Sequence, residues 1–402
     1  MSLSSFTFVP SVRRQGTFPA LDYELLEAAH ALSDEGRVRE AIAKVLAHLF
    51  PLQPVPDDLT QEPFVFTQGS SRVSVRIEGD ELAISVPLVK LPGGGGTVAA
   101  LRYLLTRISG SGQLHQPRLR DDGVSLEFRD QLARLHPSKL IEALRRMPLE
   151  ADSSDDWLIG QFQVLPFERA TIDPLEAEEL ARALAVWRAH WDEIEELLKE
   201  SQRKRSMFFL NELTAYGLYR LRYALPLCGF VASRIEEAAG TFNDTDTDPL
   251  KREAALAKCA KDMKAVSADE LAGSLGHASY AISPLQEGKP EVLTSYFKTG
   301  DYLKSIDKLR TTGKSLDAAL ALVSTYCYLL GRFSWPAPIA ADLESGLTKI
   351  SGLPWREVAN TLYAHVEELI ERYGDDGDDD SKDAGSAGGD AEAAADEQTG
   401  AQ

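Results

Sequence analysis

Apolar residues recur at helical spacing twice near the start of the chain. Leu21, Leu25, Ala28, Ala29 and Leu32 share one face, and Val38, Ile42, Val45, Leu46 and Leu49 share another. Ser33-Asp34-Glu35-Gly36 breaks the run between them, and Pro51, Pro54 and Pro56 end it. The period then changes to two. Val73, Val75 and Ile77 alternate with Arg72, Ser74, Arg76 and Glu78; after Gly79-Asp80, Leu82, Ile84, Val86 and Leu88 alternate with Glu81, Ala83, Ser85 and Pro87. Such alternation predicts an antiparallel hairpin with one apolar and one polar face, and Pro63 to Thr67 adds a third strand before it. Gly93 to Gly96 leads into a helix carrying Leu101, Leu104, Leu105 and Ile108. A second hairpin spans Leu114 to Arg129 around Asp121-Asp122-Gly123, and Pro137-Ser138 starts a closing helix with Leu140, Ile141, Leu144 and Met147.

Beyond residue 170 every usable pattern is helical. Asp173-Pro174 with Glu176 reads as an N-cap, a proline at N1 and an acid at N3. Asp248-Pro249 repeats the cap and proline, Ser267 with Glu270 forms a capping box, and Pro290, Ser315, Pro338 and Pro354 mark later starts. Seven to nine helices are expected, with no fixed repeat period. The fold class expected is thus an α+β domain over 1–165, an α-helical domain over 170–373 and an acidic tail over 374–402. The tail carries ten acids against Lys382 and no large apolar residue, so its composition predicts disorder.

The chain of 402 residues has 43 basic and 62 acidic side chains, a net charge of −19, of which the tail supplies −9. That balance argues against a nucleic-acid partner. No run of about 18 apolar residues predicts a membrane span, and the first residues lack the apolar stretch of a secretory signal. Cys228, Cys259 and Cys327 lie far apart, which excludes a disulfide framework and a close-spaced zinc motif. A reducing cytoplasm is the expected location.

Leu180, Leu184, Trp187, Trp191, Ile194 and Leu198 follow a 4-3-4-3-4 spacing. This seam serves either an intramolecular bundle, which the many helices that follow favour, or a partner-binding or dimerising surface, toward which its two tryptophans weigh. Met207 to Tyr223 is dense in aromatics, as expected of a helix buried on several sides or of the wall of a groove for a partner segment. His190 with Glu193 and His365 with Glu368 pair imidazole and carboxylate on one helical face. They supply the alternative of a metal-dependent enzyme, but the order is the reverse of the di-iron Glu-x-x-His motif. There is no His-Glu-x-x-His, Gly-x-Ser-x-Gly or phosphate-loop motif. An EF-hand-like start at Asp244 fails, because Pro249 and Ala255 stand where glycine and glutamate are required. No cofactor and no metal are expected.

The order helix, three strands, helix, two strands, helix resembles that of type III secretion chaperones and their YbjN-type relatives. The text carrying it is Ala99-Ala100-Leu101-Arg102-Tyr103-Leu104-Leu105, Gly112 to Arg120, Asp121 to Phe128 and Leu140-Ile141-Glu142-Ala143-Leu144, within residues 20 to 165. The resemblance implies a small, often dimeric α+β domain without catalytic residues that binds a segment of another protein. The function expected is therefore a non-enzymatic, chaperone-like adaptor or scaffold, or a regulatory subunit of a larger complex. Its partner, another protein or a second copy, would meet Val73, Val75, Leu82 and Ile84 on the sheet, or Leu184, Trp187 and Trp191 on the helical seam.

Overall fold

A computed structural model describes residues 5–13, 21–108, 114–244, 246–298 and 300–374. The N-terminal part has α1 (Tyr23–Asp34) and α2 (Val38–Leu49), then strands β1 (Phe64–Gln68), β2 (Ser71–Glu78) and β3 (Glu81–Lys90). These are followed by α3 (Gly95–Tyr103), β4 (Gln116–Arg120), β5 (Gly123–Gln131) and α4 (Pro137–Phe162). Strand order is β1-β2-β3-β5-β4, with each neighbouring pair antiparallel. The Glu78–Glu81 pairing across Gly79-Asp80 fixes the register that sends Val73, Val75, Leu82 and Ile84 to one face. A one-residue slip would turn all four outward.

The closing helix is longer than expected. α4 runs through Pro148 to Phe162 because Leu144, Met147, Ala151 and Leu158 keep one buried stripe across the proline. The packing of that stripe outweighs the backbone hydrogen bond that Pro148 cannot donate.

From residue 177 onward the described chain is mostly helical: α5 (Ala177–Lys204), α6 (Met207–Ala224), α7 (Gly229–Asn243), α8 (Pro249–Lys264), α9 (Ala268–Ala272), α10 (Pro290–Lys298), α11 (Tyr302–Thr311), α12 (Ser315–Arg332), α13 (Ala337–Lys349) and α14 (Trp355–Tyr373). Asp248 caps α8 through the Leu250 amide, and Ser267 caps α9 through Glu270, as their sequence signatures predict. The expected start at Asp173-Pro174 is displaced. That pair bridges to Gly276–His277, and α5 begins three residues later, its amides capped reciprocally by Glu176 and Glu179. At the centre lies α12, buried around most of its circumference and packed against α6, α11, α13 and α14. None of the helices is long and apolar enough to cross a membrane among the described residues. The expected acidic tail lies, from residue 375, outside the described residues.

Two hydrophobic cores result. One draws on residues from Ala29 to Val164, the other on Leu175 to Leu369 together with Phe6 and Val12. The first residues of the chain thus complete the second core.

Candidate peptide-binding groove

Residues 5–13 lie across the helical body as an extended arm. Ser5 bridges to Pro354. The Phe6 amide donates to the Leu353 carbonyl at 3.1 Å, and the Phe6 carbonyl accepts from the Gly352 amide at 2.7 Å. The Phe8 amide donates to Ser351 Oγ at 3.0 Å. Further along, the Val12 amide donates to the Ala224 carbonyl at 2.8 Å, Ser11 Oγ donates to the Tyr223 carbonyl at 2.8 Å, and Arg13 Nη1 donates to the Arg222 carbonyl at 3.1 Å. Main-chain bonds at both ends hold the segment with little regard to sequence, whereas side-chain pockets select for it. Phe6 and Val12 are buried; Phe8 and Val9 are half-buried against the same core.

The walls come from α6, from α5 and from the corner between α13 and α14. Phe6 meets the Trp355 ring edge-on at 5.8 Å, and Phe8 stacks on Tyr223 at 6.5 Å. Arg220 is the polar anchor. It donates to the Thr7 carbonyl at 2.9 Å, lies over the Phe6 ring and pairs with Glu193, while also donating to Tyr216 Oη. Burial opposes its charge, but Tyr216 and Glu193 overcome that penalty and hold the guanidinium more firmly protonated than usual. Tyr223 Oη is fixed by Glu344 at 2.8 Å, and burial and that carboxylate keep the phenol protonated. The aromatic segment around Tyr216 and Tyr223 is buried on several sides and also forms part of the wall against which the chain's own arm lies.

The seven sequence candidates all face inward. Val73, Val75, Leu82 and Ile84 have no exposed surface, because α4 packs across that side of the sheet and α2, packed on α4, joins the same core. The opposite face carries Arg72, Arg76, Arg118, Arg120 and Arg129, interleaved with Glu78, Glu81 and the buried Glu127. Burial pushes the Glu127 carboxyl up, but hydrogen bonds from Arg129 and Arg120 hold it below the usual range. Trp187 and Trp191 are buried, and Leu184 is half-buried against the same core. Trp187 Nε1 donates to the Met263 carbonyl of α8 at 3.2 Å. The seam thus packs within the bundle, and the buried stripe rotates toward Ala183, His190 and Leu197, as a 3.6-residue period requires against a 3.5-residue seam.

Nor does the structure bring the histidines of the metal alternative together. A buried ring nitrogen of His190 contacts the Gly217 carbonyl at 2.8 Å, and Glu193 is taken by Arg220. His365 Nδ1 meets Tyr326 Oη at 2.7 Å. No cluster of three or more metal-ligating side chains occurs among the described residues.

The arm's residues Phe6, Phe8, Val12 and Arg13 did not emerge as candidates from the sequence. Their signal was the alternation Phe6-Thr7-Phe8 before Pro10, the period of an extended segment with one buried side. The sheet edge is also occupied from within the chain. Gly69 donates to Ser279 O, Ala281 donates to Thr67 O, and the Gln68 side-chain amide bonds both N and O of Ile282. At the other edge, β4 carries Pro117, which has no N–H to offer a further strand. Compared with protein-family models and with curated proteins, the chain matches none.

Proposed function

We propose that the protein is a non-enzymatic interaction module, a chaperone-like adaptor or scaffold, whose groove in the helical body takes an extended segment of a partner protein. The observation carrying this reading is the arm itself, seated by backbone hydrogen bonds at both ends and by aromatic contacts at Phe6 and Phe8. The ligand class follows from the occupant: an extended peptide with aromatic residues two apart, then a β-branched residue and a cation in the positions of Val12 and Arg13. The chain's own arm is then a resident occupant that a partner displaces. The element order and the sheet order β1-β2-β3-β5-β4 support the resemblance to type III secretion chaperones and YbjN-type domains. Three free cysteines, with thiols pushed up to about 11, 11 and 12 chiefly by burial, support a reducing cytoplasmic location.

The test uses the chain lacking residues 1–13 and a labelled peptide of residues 2–14. The shortened protein should bind the peptide, the full-length protein should not, and replacing Phe6 by Ala in the peptide should weaken binding by about tenfold or more, as for a hot-spot aromatic. A folded, shortened protein that ignores the peptide would remove the groove from the reading. Light scattering of the full-length protein decides whether the arm serves a second copy.

A further inference from the structure

The two cores meet at a seam built around three carboxylates of α4. The β1–β2 turn presents Ser70, whose amide donates to Asp152 Oδ1 at 2.6 Å. The Ser70 hydroxyl lies 2.9 Å from Asp152 Oδ1 and 2.8 Å from Asp155 Oδ2. Arg169, on the connector between the cores, reaches Asp156 at 2.7 Å and Asp155 at 3.0 Å. The Ala170 amide beside it donates to the Ser70 carbonyl at 2.8 Å. From the helical body, the Gly229 amide bonds Asp156, while Cys228 and Tyr280 border the cluster. Arg13 and Arg222 face Tyr280 from the far side, and Glu150 of α4 is taken by His115 at 3.2 Å. Gly69 makes room for all this: its backbone is left-handed, and a Cβ there would fall 2.0 Å from Asp152 Oδ1.

Counting hydrogens shows what the cluster requires. One serine hydroxyl supplies one hydrogen, yet it sits at hydrogen-bond distance from oxygens of two carboxyl groups. With both ionised, one of these contacts would set lone pairs against each other in a buried site. Asp152 already accepts the Ser70 amide, and Asp156 has Arg169 and Gly229. Asp155 is the most buried of the three. Its Oδ1 accepts the Asp156 amide at 2.6 Å. Its Oδ2, the oxygen facing Ser70, has no second hydrogen bond, since Arg169 Nε lies 3.0 Å away without forming one, whereas the Asp152 oxygen facing Ser70 also takes the Ser70 amide. The extra hydrogen belongs on Asp155, donated to Ser70 Oγ, while Ser70 donates to Asp152.

We propose that this seam is a proton-operated latch, in which a proton held between Asp155 and Ser70 keeps the two cores clasped and its loss loosens the seam. Burial first, and then the neighbouring Asp156, push the Asp155 carboxyl up to about 7, against the pull of Arg169 and Ser70. Burial also raises Asp152 and Asp156. Burial pushes the Cys228 thiol up to about 11 and the Tyr280 phenol up to about 12, so neither of these changes charge near neutrality. A carboxyl raised in the fold binds its proton more tightly there than in the opened chain. Its contribution is therefore complete below the ordinary aspartate range and is lost as pH rises through about 7. Loosening would uncover the β1 edge that residues 279–282 occupy, so pH would control access to a second surface, beside the arm's groove.

The experiment follows trypsin cleavage of the Arg169–Ala170 bond, which the Ala170-to-Ser70 hydrogen bond protects, in full-length wild type and Asp155→Asn. Asparagine stands in for the protonated carboxyl by placing a permanent donor toward Ser70. Dividing the wild-type rate by the variant rate at each pH removes the protease's own pH dependence. The ratio should be near one at about pH 5.5 and rise about fivefold or more by about pH 8.5. An aspartate carboxyl signal titrating near 7 in wild-type protein labelled with carbon-13 at its aspartates should accompany it. A ratio that does not change with pH, or no aspartate titrating above the ordinary range, overturns the latch. If the variant does not fold, wild-type cleavage at Arg169 relative to cleavage after the exposed Lys251 reports the same opening.

Discussion

Trp191 has no exposed surface and packs edge-on to both Trp187 and His190, at 5.5 and 5.0 Å. Trp191→Ala should therefore leave a core cavity and cost about 3–5 kcal/mol, read as a lower denaturation midpoint. An unchanged midpoint with a halved mass by light scattering would instead return the helix to the role of a dimer surface. His190 and His365 contribute to the pH dependence of stability on the acid side. Burial, first in both cases, holds each imidazole below its usual range. At these two groups the unfolded chain binds more protons than the fold below about pH 6.5, so they remove stability as pH drops through that region, opposite in sign to the contribution of Asp155. His365→Gln should flatten that part of a thermal-midpoint profile, and a profile as steep as wild type would show that His365 is not among its causes.

At the scale of elements, the arm and α4 depend on distant partners more than on their own sequence. Nine described residues of the arm cannot hold an extended conformation alone; α6 and the 351–355 corner supply its hydrogen bonds and its aromatic contacts. Phe6→Ala should detach the arm without unfolding the helices. Circular dichroism should be unchanged while trypsin cleaves after Arg13 about tenfold faster or more. Cleavage at the wild-type rate would mean that the backbone bonds alone retain the arm. In α4, Leu144, Met147, Ala151 and Leu158 show why proline is tolerated: the stripe on either side of Pro148 packs on one continuous core.

For the whole molecule, the two cores are joined at the α4–α7 packing, at the carboxylate seam and at residues 279–282. A helical fragment of residues 170–374 lacks Phe6 and Val12, and so leaves their pockets open. It should melt lower than the same body within the full chain, and the peptide of residues 2–14 should raise its midpoint by several degrees, equivalent to about 1 kcal/mol or more. No shift with the peptide would mean that the arm adds little to the second core. Removing residues 375–402 takes away ten acids and one lysine, changing the net charge from −19 to −10. The composition of that segment predicts an unchanged midpoint, and a loss of several degrees would show that it docks on the body.

Local signals in the sequence determined most of the elements. The two-residue period of β2 and β3 with Gly79-Asp80 between them, the caps at Asp248 and Ser267 and the breaks after Leu49 all concern neighbours a few residues apart, where sterics and hydrogen bonding act without a tertiary partner. The groove was legible only as the aromatic density of Met207 to Tyr223. Direction was not legible: α4, with the core it shares with α2, decided that Val73, Val75, Leu82 and Ile84 face the interior, because burial is set by whatever packs on a face and not by the alternation itself. The same holds for Trp187 and Trp191, whose spacing suits a bundle and a partner equally. Tertiary structure alone joined Phe6 to Trp355 and Ser70 to Asp152 and Asp155. Contacts between residues so far apart along the chain depend on how the elements pack, and no local pattern records them.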